Sequence, residues 1–350
     1  MAHDGQHHRR NAARWWRGGL GAVAVLTAAS LLSSCSASGP HVALRSLKAG
    51  CGVEPSAAFV AAPLSTVRSG NGELAVAGVC IDGKGPYPFL VATGAGESVV
   101  TPTLASLLRL KTTGPPSEVR GVTCIGTAPQ AEVADWSVGG VRLATQGVLV
   151  AKLPSYGLAE APMGELGSDV LSRFGIVSVD YKAKKLVLGR SEAAAPRGNV
   201  YLSGHPTLAP PSGLIKGAPQ VSSLLRVLEG PTSTLLAMPV TIDKHAEQFA
   251  LDTGSASSTL DPSIASVLHL AAGGGTASLS GVGCGSTANL LPVEHWKVAG
   301  SSLGAVSPLS YRVAGIANTN IGGAVGSDIL STYGAVVIDY PAAHVWLGAG

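Results

Sequence analysis

The sequence predicts an all-β fold, and three observations carry that expectation. Hydrophobic residues make up 46% of the chain against 13% charged. The 46 glycines and 22 prolines suit short strands joined by many turns better than long helices. One unit is also written twice, since residues 89–110 superimpose on 249–270 at a constant offset of 160, and a repeat of that size signals duplicated architecture. At 350 residues the chain has room for two domains of about 100–200 residues each.

The first 34 residues read as a leader. "RRNAARWWRGG" is a basic n-region, and "LGAVAVLTAASLL" is an apolar run too short to span a bilayer. It ends in "LLSSC", which resembles a bacterial lipobox, so Cys35 is the candidate for lipidation. An ordinary secretory peptide with an incidental cysteine is the alternative. Arg9 and Arg10 hint at twin-arginine export without its flanking consensus, which leaves Sec and Tat both open. The expected location is the extracytoplasmic face of a bacterial cell membrane, held by the N-terminal lipid. Net charge is only +3, with Arg9, Arg10, Arg14 and Arg17 inside the leader, so the composition points away from nucleic acid.

Outside the cytoplasm disulfides persist, and Cys51, Cys80, Cys124 and Cys284 allow three pairings among which the sequence does not choose. None has a second Cys or His at metal-ligand spacing, so no zinc site is expected, and no cofactor motif is present.

Residues 35–70 read as a membrane-proximal spacer that ends in an added strand, 71–190 as a first lobe, 191–232 as an Ala/Pro/Gly/Ser-rich linker and 233–350 as a second lobe. Within each lobe "YPFLVAT" and "AEQFALDT" are apolar strands ending at a Thr-Gly turn. "TPTLASLLRL" and "DPSIASVLHL" follow, each a capping side chain, a proline at the first helical position and an amphipathic turn or two. "GVTC" at 121 matches "GVGC" at 281, and Trp136 matches Trp296. After a one-residue slip "LGSDVLSRFGIVSVDY" at 166–181 matches "VGSDILSTYGAVVIDY" at 325–340. Closing hairpins end both copies.

The order of "ALDTGS", a glycine-rich strand about 30 residues on, then "VGSDIL" before a closing hairpin resembles the retropepsin-like and pepsin-like aspartic peptidases. The second copy fits along 233–350, and the first fits from 72 to 190 except at one position. The resemblance implies two closed six-stranded barrel lobes in a bilobal, pepsin-like arrangement, with a cleft between them for a peptide or protein ligand. It also implies one aspartate per lobe, two carboxylates sharing a proton, and it assigns Thr93 and Thr253 to a paired clamp between Thr-Gly loops that include Gly94 and Gly254.

The departure is Ala92, which stands where the second copy has Asp252. A methyl group orients no water and holds no charge, and losing one partner of a catalytic unit costs orders of magnitude. A degenerate binding or scaffolding module is therefore expected. The alternative is an active endopeptidase using Asp252 through homodimerisation or as a lone acid, and the oligomeric state is left open. Without a like-charged neighbour Asp252 is expected to titrate as a single group. Glu97 falls on the strand leaving the loop and is expected to face solvent. Asp169 and Asp328 fall in first helical turns, where acids favour the dipole, and Asp180 and Asp339 fall at turn or surface positions. If the "GVTC" and "GVGC" segments are flaps that meet across the cleft, Cys124 and Cys284 would bridge them.

Overall fold

The computed structural model describes residue 51 and residues 59–156, 161–189, 209–230, 233–273, 275–317 and 319–350. The leader 1–34, Cys35, most of the 35–70 spacer and residues 191–208 and 231–232 of the expected linker lie outside the described residues. All the described residues belong to one unit, Val42–Gly350, and they are mostly strand. No helix among them is long and apolar enough to cross a membrane.

The centre of the structure is a ladder contributed by both copies of the repeat. Strand Ile176–Asp180 pairs antiparallel with Ala335–Asp339, Ser178 facing Val337. These two residues are repeat equivalents, so the pairing is symmetric about them. Lys185–Gly189 extends the sheet on one side and His344–Gly348 on the other. Phe59–Ser69 and Val221–Leu224 then form its two edges. The first of these edge strands continues onto Gly72–Ile81. The second is interrupted at Leu225 and resumes as Arg226–Glu229, which pairs with Thr234–Ile242. The end of the expected linker is thus built into the sheets as the counterpart of the strand that ends the spacer.

In each copy a hairpin carries the Thr-Gly loop. Lys84–Val91 folds against Gly72–Ile81 and leads into Ala92, and His245–Leu251 folds against Thr234–Ile242 and leads into Asp252. A third strand, Gly164–Leu166 or Gly323–Val325, lies parallel beside it. Helix Pro102–Leu108 is capped by Thr101, whose hydroxyl accepts from the Leu104 amide at 3.2 Å, and helix Pro262–Val267 by Asp261, which accepts from the Ser263 amide at 2.8 Å. Both helices begin with the expected proline, whose missing N–H costs nothing at that position.

One hydrophobic core runs through both copies. Trp136 and Trp296, repeat equivalents, are buried within it together with Phe89 and Phe249, and Phe249 meets Trp296 edge-on at 5.4 Å between ring centroids.

Strand pairing follows open paths in place of the expected closed barrels. Thr112–Arg120 pairs with Ile125–Val133 alone. It carries Pro115 and Pro116, which lack the N–H needed to continue a ladder and confine a strand to an edge. Thr276–Gly281 ends the other path in the same way, paired only with Cys284–Leu290.

Asp180 and Asp339 are turn residues as expected, but they are buried, not superficial, at 8% and 6% exposure. Asp180 accepts from the Ala183 amide at 2.6 Å and Asp339 from the Ala342 amide at 2.9 Å. Each carboxylate therefore pins the first turn of its closing hairpin beside the central ladder.

Candidate functional site

The two Thr-Gly loops meet tip to tip. Thr93 Oγ1 donates to the Leu251 carbonyl at 2.9 Å, and Thr253 Oγ1 donates to the Val91 carbonyl at 2.6 Å. Each hydroxyl also accepts from the other loop, from the Thr253 amide at 3.1 Å and the Thr93 amide at 3.2 Å. Both threonines are buried, so four hydrogen bonds join the loops in a dry environment where leaving them unmade would be costly.

This clamp brings residues 92 and 252 to the same floor. Their amides make matching bonds, Ala92 to the Leu166 carbonyl at 3.0 Å and Asp252 to the Val325 carbonyl at 3.1 Å. A Cβ placed on Gly94 would overlap the Asp252 carboxyl group, and one on Gly254 would overlap the Ala92 methyl. Glycine is required at both sites because each loop's backbone lies against the other loop's key side chain. Asp252 is half-buried and accepts from the Gly254 amide at 2.9 Å. Burial raises its carboxyl above the ordinary range, against the opposing pull of the Gly254, Gly94 and Ser255 amides. Ala92 is buried and offers only a methyl group.

The paired acids Asp169 and Asp328 hold the walls of the site. Asp169 accepts from the Ser98 amide at 3.0 Å and its hydroxyl at 2.7 Å, and from Gln146 Nε2 at 2.7 Å. Asp328 accepts from the Ser258 amide at 3.0 Å and its hydroxyl at 2.7 Å. Each ties the strand leaving a Thr-Gly loop to the short helix that follows the parallel strand. Burial raises both carboxyls while these bonds oppose the rise.

Glu97 departs from expectation. It is half-buried and lines the cleft instead of facing solvent, and burial and then the charge of Asp169 raise its carboxyl.

Above the floor lies a cavity of about 1150 Å³. It is roofed by residues 120–122 at the tip of the first hairpin and 281–284 at the tip of the second. The roof is closed by a disulfide between Cys124 and Cys284, whose Cα atoms are 6.4 Å apart. The Tyr311 hydroxyl donates to the Thr123 carbonyl at 3.1 Å, and the Ala314 amide donates to the Val122 carbonyl at 3.0 Å. A second disulfide joins Cys51 to Cys80.

Two residues of the site escaped sequence reasoning. Glu165 is only 7% exposed, yet it lines this cavity. Burial, then the charge of Asp252 and that of Asp169, pushes its carboxyl up to about 8. Tyr156, also lining the cavity, has its phenol raised well above its usual value by burial and then by Glu165 and Asp252. The expectation that Asp252 lacks a like-charged neighbour is therefore corrected. The charge of Asp252 acts on Glu165, so the two acids do not titrate independently. One signal for Glu165 was present in the repeat. At the offset of 159 that governs this segment, Glu165 of "GELGSD" stands opposite Ala324 of "GAVGSD", a carboxylate gained in the copy that lost one at position 92.

Among the described residues no group of three or more His, Cys, Asp or Glu side chains is placed to hold a metal ion.

Residues 77–170 match a family model described as aspartyl protease. The match supports an aspartic-protease relationship, and the stretch it covers contains both Ala92 and Glu165. A search of curated proteins finds no match.

Proposed function

We propose that the chain is an aspartic-peptidase-fold lipoprotein whose two retropepsin-like lobes enclose a peptide- or protein-binding cleft and whose catalytic apparatus is degenerate. It would act at the outer face of a bacterial membrane, anchored through lipid on Cys35. The observation that carries this reading is the buried methyl of Ala92 against Gly254. The loop that would present a second carboxylate keeps its clamp and its backbone, while the group that would activate water with Asp252 is missing. Fold and reaction separate at that one position.

A second reading keeps hydrolysis. It is favoured by the cradle of amides that Asp252 retains and by its place on the cavity wall. In that case Asp252 would act as a lone acid on an easily broken bond. Homodimerisation through Asp252 is disfavoured, because the clamp already occupies both loops within one chain at high effective concentration.

The test is to incubate the purified full-length protein and its Asp252→Asn variant with a fluorescent peptide library from pH 3 to 8, reading binding and cleavage together. Saturable binding without turnover is expected. Cleavage that disappears in Asp252→Asn would replace the binding reading with the catalytic one.

A further inference from the structure

The cleft has two unlike walls. Opposite Glu165, the equivalent Ala324 packs into an apolar patch with Ala237, Ala250, Ile316 and Ile321. On the first side Glu165 lies in register with Leu90 on the neighbouring parallel strand. Leu90 is buried with Val67, Leu74 and Val76, and Tyr156 and Ala256 pack against that cluster while lining the cavity.

Glu165 is more than nine-tenths buried and lines the cavity, and its carboxyl is governed by burial and by the charges of Asp252 and Asp169, with no hydrogen bond from a described residue to oppose them. Ionising such a carboxyl is costly unless a compensating charge comes to it. Among the described residues that line the cavity, no free cation is set against it. Of the basic residues lining the cavity, Arg120 is paired with Glu118 at 2.7 Å, and Lys152 is exposed. The remaining acids facing the site, Asp252 and Glu97, add negative charge.

Resting on the peptide-binding reading above, we infer that Glu165 determines specificity in this cleft and that the ligand it selects presents a basic side chain, lysine or arginine, to it. The aliphatic stem of such a side chain suits the wall formed by Tyr156 and Ala256. Its cationic head meets Glu165, and the ring of Tyr156 adds a favourable aromatic face. A charge-assisted hydrogen bond is among the stronger recognition contacts. The far wall, with alanine in place of glutamate, takes an apolar residue. Because the roof is tied across by Cys124 and Cys284, the ligand enters end-first.

The test uses full-length protein and a library of N-acetylated, C-amidated octapeptides in which each position in turn is Lys, Arg, norleucine or Gln, read by competition fluorescence anisotropy. Wild type is expected to favour Lys or Arg over norleucine at one position by roughly tenfold or more. Glu165→Gln should reduce that preference to within about twofold, with a far-UV circular dichroism spectrum and a cooperative urea transition showing that the variant is folded. Equal affinity for Lys and norleucine peptides, or a preference that survives Glu165→Gln, overturns the inference and leaves the peptide-binding reading standing. No binding of any peptide overturns both. n-Butylamine competing as well as the lysine peptides would transfer the site from peptides to free amines and refute the inference as stated.

Discussion

Thr93 and Thr253 hold each other's loops by reciprocal hydrogen bonds, each hydroxyl donating to the opposite strand's carbonyl and accepting from the opposite threonine's amide. Because each hydroxyl serves both roles, removing one leaves a carbonyl and an amide unpaired in a buried place. Thr93→Ala and Thr253→Ala should each lower the free energy of unfolding by about 1–3 kcal/mol. The double variant should lose less than the sum, since the two share partners. Urea denaturation of the three variants measures this, and additive losses would contradict the reciprocal arrangement.

Restoring the missing acid tests the floor. In Ala92→Asp the new carboxyl would face Gly254 as Asp252 faces Gly94, and the two acids would share a proton. Acid peptidase activity should rise by at least about 100-fold over wild type if the rest of the apparatus is intact. Cleavage of a quenched peptide at pH 3–6 reports it. A folded Ala92→Asp protein with no gain would place the block elsewhere, with the tied roof as the first suspect.

The raised Glu165 carboxyl has consequences of opposite sign for folding and for ligand. In the folded chain the group holds its proton up to about pH 8, against an ordinary value of 4.5, so the folded state binds more protons across that window. Stability should therefore be fully present at the acidic end and fall as pH rises, by up to about 1.4 kcal/mol per pH unit. The facing groups Glu97, Asp169 and Asp252 are raised as well, and Tyr156 stays protonated throughout. Glu165→Gln should accordingly reduce the slope between pH 5 and 8 without abolishing it. For a cationic peptide the trend reverses, because the proton must leave before the cation pairs. Affinity should climb toward pH 8 in wild type and stay flat in the variant. Denaturation midpoints and anisotropy over one pH series check both.

The roof disulfide closes a loop of 160 residues. Replacing Cys124 and Cys284 together by serine should cost about 2–5 kcal/mol of stability, mainly by freeing the unfolded chain. It should also speed ligand association, measured by stopped-flow anisotropy. Unchanged association kinetics would mean that the hairpin tips do not gate the cavity.

Much of this was legible because it was written twice. The Thr-Gly turns, the proline-led helices and the acids at 169 and 328 recur with their partners, so chance agreement at any one of them was discounted by the other copy. Glu165 was not legible by the same logic. It breaks the repeat, and a single charged residue between Gly164 and Leu166 reads as an edge or turn until the parallel strand beside it is known. The strands at 221–229 were hidden by the composition around them, since "VSSLLRVLE" follows a run rich in proline, glycine and alanine. The open strand paths were foreseeable in part from Pro115 and Pro116, whose effect on pairing is local. Which edge they would leave bare is a matter of tertiary placement.

The ladder that joins Ile176–Asp180 to Ala335–Asp339 leaves the two halves without a hinge. Any swing of one half against the other would tear backbone bonds at the rear, so guests cannot be admitted by a jaw-like gape. Exchange is left to the ends of the channel, or to loosening at the front, where two thin ribbons are tied by one covalent knot. The chemical state of that knot in the surrounding medium then decides which of the two routes is open.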